Sequence, residues 1–203
     1  KALGLNVPVS VNVGAKQLQQ GECIACLRRL LQIHADVDPS LLELEILETS
    51  TLEDLIGVSN IIKECHSMGI TFALDDFGTG YSSLTYLKKL PVTSLKIDQT
   101  FVHDMLDDPD DLAILEGVLG LARAFSRQVI AEGVETIEQG EMLLQLGCEL
   151  AQGYIIARPM PAFELPSWLA SWSPSKMWVQ TTKVHHDNLS LLFATVEHRS
   201  WVK

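Results

Sequence analysis

The chain has 203 residues, 47% of them hydrophobic and 20% charged, which is the composition of a folded globular protein and excludes wholesale disorder. Acidic residues outnumber basic ones 26 to 15, for a formal charge of −11. A general groove for DNA or RNA polymers needs a basic surface and is excluded on that ground. No run of about 18 apolar residues occurs, so no spanning helix is expected. The opening KALGLNVPVS has neither a cleavable secretion pattern nor an initiator Met, so an internal fragment is expected. Cys23, Cys26, Cys65 and Cys148 are not spaced as in a disulfide-dense secreted module. The expected location is the cytoplasm, either free or as the cytoplasmic part of a membrane-linked protein.

Short β-branched runs alternate with longer helical stretches. VPVSVNV (7–13) reads as a first strand and residues 15–34 as a helix that carries Cys23 and Cys26 on its face. LLELEIL (41–47) is the second strand. Ser50-x-x-Glu53 reads as a capping box opening a helix to Met68, and Gly69 suits the stop after it. ITFALD (70–75) is the third strand, followed by the loop DFGTGYSS, a short helix with Tyr86 and Leu87, and a break at Pro91. TSLKID (93–98) is the fourth strand. Asp110 or Asp111 starts a helix whose apolar stripe is Ile114, Val118, Ala122 and Phe125. QVIAEG (128–133) is the fifth strand, Thr136-x-x-Gln139 a second capping box, and Gly147 its stop. CELAQGYII (148–156) is the sixth strand, and a last helix falls within 162–171.

Repeated strand–helix units imply a parallel sheet. Two α/β architectures fit: an open doubly wound sheet, or a (β/α)8 TIM-type barrel truncated at its N-terminus to about six units. Asn12, Glu45, Asp75, Lys96 with Asp98, Glu132 and Gln152 lie at or near strand C-termini in turn. Polar groups from every strand favour convergence at a barrel mouth.

Asp75 and Asp76 are adjacent carboxylates before Phe77-Gly78-Thr79-Gly80. Such charges repel unless a cation or hydrogen-bond donors compensate them, so the pair reads as a metal site or as a strand-end cap in water. Glu45 alternates with Leu44 and Ile46 and so faces away from them. Asn12, Glu45 and the aspartates are hard oxygen donors that suit Mg²⁺ or Mn²⁺. Lys96 sits between Leu95 and Ile97; it needs an anionic partner if it points inward, or snorkels if it points outward. Glu132 could take a proton from water. Glu135 suits a supporting or capping role. Together these residues fit metal-assisted phosphodiester hydrolysis.

DDFGTGYSSL (75–84), LKIDQTFV (95–102), AEGVET (131–136) and QGY (152–154), with SVNVGAKQL and LELEILET before them, resemble the EAL-domain phosphodiesterases of bacterial cyclic di-GMP signalling. The motifs occur in the family's order across roughly residues 5–170. The resemblance implies a modified (β/α)8 barrel that hydrolyses cyclic di-GMP to linear pGpG with two Mg²⁺ or Mn²⁺ ions. Carried over by position, Asn12, Glu45 and Asp75 are metal ligands and Asp76 binds the second metal. Lys96 contacts the catalytic water or metal-bound oxygen, Glu132 is the general base and Gln152 completes the site. Glu48, Glu135 and Asp98 are supporting residues, Glu48 holding the DFGTG loop. The resemblance also implies a homodimer, with an upstream sensory or GGDEF-type domain in the whole protein.

Three departures stand out. No Glu-Ala-Leu run occurs, Gly14 stands where the family often has Ser, and Leu47 where it often has Thr. The first implies that two opening strands and one metal-ligand Glu are missing, and it opens a second reading, a cyclic di-GMP receptor without turnover. The expected domains are an incomplete EAL-type barrel over 1–172 and, over 173–203, a linker or the start of a further helical module holding His185, His186 and His198.

Overall fold

The computed structural model describes residues 6–14, 17–18, 22–47, 54–79 and 83–185. Among these, six strands follow one another in chain order in the sheet: β1 (Val9–Asn12), β2 (Leu42–Leu47), β3 (Thr71–Phe77), β4 (Ser94–Ile97), β5 (Gln128–Ala131) and β6 (Leu150–Ala151). The helices are α1 (Glu22–Ile33), α2 (Leu55–Ser67), α3 (Ser83–Lys89), α4 (Gln99–Asp104), α5 (Pro109–Ala124), α6 (Ile137–Gln145), α7 (Leu165–Ser171) and α8 (Lys176–His185). The chain divides into two compact units, Pro8–Lys96 with Ala122–Gln128, and Lys1–Val7 with Ile97–Leu121 and Val129–Lys203.

In the Pro8–Lys96 unit the strands pair in parallel, with Asn12 opposite Glu45 and Leu47 opposite Asp75. The N–H of Gln128 extends this ladder by donating to Thr93 O (3.1 Å). β2 and β3 are apolar on one face and carry acidic side chains on the other. Leu44, Ile46, Phe72 and Leu74 are each at most 3% exposed, as expected of strands covered by helices. α2 presents Val58, Ile62 and Cys65 as its buried stripe. It opens on Asp54, whose Oδ1 accepts from the N–H of Gly57 (2.8 Å). The helix thus begins after the expected Ser50–Glu53 box, which lies outside the described residues.

Three helices end alike. After α2, Gly69 N–H donates to His66 O and Ile70 N–H to Cys65 O. After α6, Gly147 N–H donates to Leu144 O and Cys148 N–H to Leu143 O. Both glycines hold positive φ (93° and 80°), the left-handed stop that L side chains resist. After α5 the same two bonds run from Ser126 to Arg123 and from Arg127 to Ala122. There the left-handed residue is Ser126, at φ 54°.

In the Ile97–Leu121 and Val129–Lys203 unit, β5 and β6 pair in parallel, with Ala131 opposite Ala151. α6 has the expected capping box: Thr136 Oγ1 accepts from Gln139 N–H (3.1 Å), and Gln139 Oε1 accepts from Thr136 N–H (3.1 Å). α8 packs on α6. Trp178 Nε1 donates to Ile137 O (2.8 Å), and Thr181 Oγ1 donates to Glu141 Oε1 (3.2 Å).

Three sequence expectations change. α5 starts at Pro109, and the side chain of Asp108 accepts from Asp110 N–H (2.8 Å); Pro at the first helical position supplies the fixed φ and lacks only an N–H that has no helical partner. Its buried face is Leu115, Val118, Leu119 and Ala122, while Ile114 and Phe125 are 41% and 37% exposed. At 100° per residue those two fall at the margins of the stripe. The sixth strand covers only Leu150–Ala151. The chain turns at once, the N–H groups of Ile156 and Ala157 both donating to Gly153 O.

Candidate active site

Every sequence-predicted ligand or catalytic residue among the described residues lies at or just past the C-terminal end of its own strand. Asn12 ends β1, Glu45 lies near the end of β2, Asp75 and Asp76 near the end of β3, and Lys96 near the end of β4; Glu132 and Gln152 directly follow β5 and β6. The alternation of strand side chains turns Glu45 away from Leu44 and Ile46, as the sequence predicts.

In the Pro8–Lys96 unit, three of these side chains meet. Lys96 is 1% exposed, and its Nζ lies 3.0 Å from Glu45 Oε1 and 3.1 Å from Asp75 Oδ1. Glu45 and Asp75 are 3% and 4% exposed. The lysine therefore points inward, resolving the choice left open by the sequence. Removing an ammonium from water costs several kcal/mol unless partners compensate it. Here two carboxylates flank it. Glu45 Oε2 is buried and has no hydrogen-bond partner. A buried carboxylate oxygen left open among hard oxygen groups fits a hard divalent cation.

Asp76 follows with φ 53°, a left-handed conformation tolerated better by Asp than by most side chains. Its carbonyl accepts from Thr79 Oγ1 (2.9 Å) and, more weakly, from Thr79 N–H (3.4 Å), while Phe77 is anchored at 1% exposure. The peptide is thus held in a tight turn that carries the two neighbouring carboxylates. Asn12 is exposed at the end of β1.

Glu43 was not singled out from the sequence. It stands two residues before Glu45, on the same face of β2, and is 5% exposed. Ser10 Oγ donates to its Oε1 (3.0 Å) and Ser94 Oγ to its Oε2 (2.7 Å). Burial pushes its carboxyl above the ordinary value, with Glu45 adding to the rise; the two serine bonds and Lys96 oppose it. The signal in the sequence was the i, i+2 spacing of two glutamates in one strand.

In the other unit, Glu132 and Gln152 are held by backbone bonds. Glu132 N–H donates to Ile97 O (3.2 Å), Gln152 N–H to Ala131 O (2.8 Å), and Val134 N–H to Gln152 O (3.1 Å). Gln139 Oε1 also accepts from Glu135 N–H (2.8 Å), so the α6 capping residue ties down the 132–136 loop. A cavity of about 350 Å³ is lined by Gln99, Glu132, Glu135, Gln152, Tyr154 and Arg158, among others. The Arg158 guanidinium lies 4.4 Å from the Tyr154 ring centroid, a cation–π contact that gives the cavity a placed positive charge. Neither Tyr154 nor Arg158 was expected as a site residue: the strand expected over 148–156 holds residues four apart away from each other, whereas the turn at Gly153 brings them together. Asp98 caps α4, its Oδ1 accepting from Thr100 N–H (2.8 Å). Glu48 lies outside the described residues.

Comparison with known proteins agrees with these motifs. A family profile described as EAL domain matches residues 2–159, and the chain belongs to that family. It is 41% identical over 157 residues to the bifunctional diguanylate cyclase/cyclic di-GMP phosphodiesterase MucR of Pseudomonas aeruginosa, an alignment covering 77% of this chain and 23% of MucR. Among solved structures it resembles the PaMucR phosphodiesterase in its c-di-GMP complex, with TM-score 0.73, 40% identity, and coverage of 78% of this chain and 64% of that one. It also resembles the EAL domain of Mycobacterium smegmatis DcpA, with TM-score 0.77, 36% identity, and coverage of 81% and 74%. The fold is therefore the EAL-type TIM barrel, here with six strands and their helices. The chain spans 23–28% of the length of the first curated relatives it matches. No helix among the described residues is long and apolar enough to cross a membrane.

Proposed function

We propose that this chain belongs to a bacterial phosphodiesterase that hydrolyses cyclic di-GMP to linear pGpG with Mg²⁺ or Mn²⁺. The observation that carries the reading is the buried Lys96 between Glu45 and Asp75, with Glu45 Oε2 left open. Asn12, Glu45, Asp75 and Asp76 are the residues proposed to hold the ions. Two bound divalent ions would polarise the phosphodiester and lower the pKa of water.

The remaining roles fall to the chain's own side chains. Glu132 takes the proton of the attacking water as the new oxygen–phosphorus bond forms and one ester oxygen leaves. Lys96 supplies a fixed cation against the charge that develops on the phosphoryl oxygens. Gln152 orients water or substrate; Glu48, Glu135 and Asp98 support the loops. Arg158, held over Tyr154, gives so acidic a chain a local attraction for an anionic dinucleotide. In this reading residues 1–172 belong to the barrel, and 173–203 are a linker or the start of a further helical module. The protein acts in the cytoplasm as a homodimer, with an upstream sensory or GGDEF-type domain; the bifunctional name of MucR supports the further domain.

Chromatography of cyclic di-GMP incubated with Mn²⁺ and either this chain or an upstream-extended one tests the proposal. The expected product is pGpG, with formation falling at least about 100-fold in Glu132→Gln. Retention of the dinucleotide without cleavage by either folded chain would move the assignment to a receptor. Neither binding nor cleavage would sink both readings.

A further inference from the structure

We infer that Glu43 is a positioning residue for the site: from the layer beneath, it ties β2 to β1 and β4 and so fixes where Lys96 Nζ sits between Glu45 and Asp75. The inference rests on the proposed phosphodiesterase reading for its consequence in catalysis, though not for the geometry.

The strand period of two sorts the inward side chains into a lower and an upper set. Ser10, Glu43, Ala73 and Ser94 each stand two residues before Asn12, Glu45, Asp75 and Lys96. The upper set holds the proposed ligands and the lysine. In the lower set, Glu43 receives one hydroxyl from each side, Ser10 on β1 and Ser94 on β4. β4 is not the neighbour of β2; β3 lies between them. The bond to Ser94 therefore spans β3, which sets the fully buried Ala73 opposite Glu45. Two residues beyond Ser94 on the same face stands Lys96. A 2.7 Å bond at Ser94 therefore sets the height and tilt of β4 at the point where its lysine must reach two carboxylates on two other strands.

The charged side chains facing Glu43 are Glu45 and Lys96. The Lys96 contacts at 3.0 and 3.1 Å go to Glu45 and Asp75, not to Glu43. Its influence on the lysine is exerted through the backbone of β4 and through the field between them. This separates it from a ligand: its oxygens are already taken by hydroxyls, whereas Glu45 Oε2 has no such partner.

The test uses the whole 203-residue chain with ¹³Cε-labelled lysine, the Lys96 signal being assigned by its loss in Lys96→Arg. In the wild type, Lys96 is expected to give a signal displaced from those of the exposed lysines. In Glu43→Gln and Ser94→Ala that signal should move toward the exposed group, and Mn²⁺ binding followed by calorimetry should weaken about 10-fold, with the melting temperature little changed. In whichever of this chain or the upstream-extended one turns over, kcat should fall about 10- to 100-fold while KM stays within about threefold, as expected when a reacting group is displaced by about an ångström. An unmoved Lys96 signal in both folded variants would overturn the inference. So would a melting-temperature loss with Lys96 and Mn²⁺ binding unaltered, the mark of a merely structural role. If the wild type makes no pGpG while the Lys96 signal responds to Glu43, the phosphodiesterase reading fails and the positioning role stands.

Discussion

Lys96 is the residue on which the Pro8–Lys96 unit's chemistry turns. Its ammonium lies within 3.1 Å of two carboxylates, all three groups nearly inaccessible to water. Replacing it by Met leaves Glu45 and Asp75 as neighbouring buried charges. Lys96→Met is expected to lose about 3–5 kcal/mol of stability in EDTA, a fall of roughly 10 °C in melting temperature for a chain of this size. Mn²⁺ should restore more of that loss in the variant than it adds to the wild type, because the ion would replace the missing cation; paired thermal melts check this. His66 gives a second test at the same scale. Its imidazole packs edge-on to Phe72, and its Nε2 is buried without a hydrogen-bond partner. Burial, helped by the Arg127 charge, holds its pKa below the usual 6.5. A lowered pKa means that the folded state binds the proton less well than the unfolded one, so this contribution is full above about 6.5 and fades as pH falls through the folded value. Stability of the wild type should decline across that window, and His66→Gln should flatten the decline in denaturant titrations at successive pH values.

The elements share a stop. α2, α5 and α6 each end on the same pair of backbone bonds, and two of the three place glycine at the left-handed position. The third places Ser126 there, at φ 54°. A Cβ in that region costs about 1–2 kcal/mol, whereas glycine enters it without the clash. Ser126→Gly should therefore gain about 1 kcal/mol and raise the melting temperature by about 2–4 °C, measured by calorimetry. A neutral or lower melting temperature would mean that the added freedom of the unfolded chain outweighs the relief. Gly69 and the Thr136–Gln139 box could be read from the sequence because caps are local: a few consecutive residues satisfy their own backbone groups. The Asp54 cap and the offset buried face of α5 could not, because which side of a helix is covered is decided by the strands and helices packed against it.

At the scale of the whole molecule, β1 is the first strand of the described sheet order, and its Val9 and Val11 are 53% and 45% exposed. An exposed apolar edge strand invites pairing with another chain. This 203-residue chain is expected to self-associate at high concentration, and Val11→Lys to shift it toward monomer, as read by light scattering coupled to size-exclusion chromatography. A wild type that stays monomeric at about 100 μM would count against edge pairing. The association of a β1 edge is distinct from the proposed family-type homodimer: only the former should respond to Val11→Lys.

The sequence by itself determined the order of strands and helices, the acidic character, the family, and the strand-end placement of Asn12, Glu45, Asp75, Asp76, Lys96, Glu132 and Gln152. These follow from periodicity, local caps and ordered motifs, which need only neighbours in the chain. The tertiary structure decided the rest. It turned Lys96 inward between Glu45 and Asp75, left Glu45 Oε2 open, and set Glu43 between Ser10 and Ser94. It ended the sixth strand two residues after it began. Each of these depends on which strands lie beside one another and how far a side chain must reach across them, and those distances arise only when segments remote in sequence pack together.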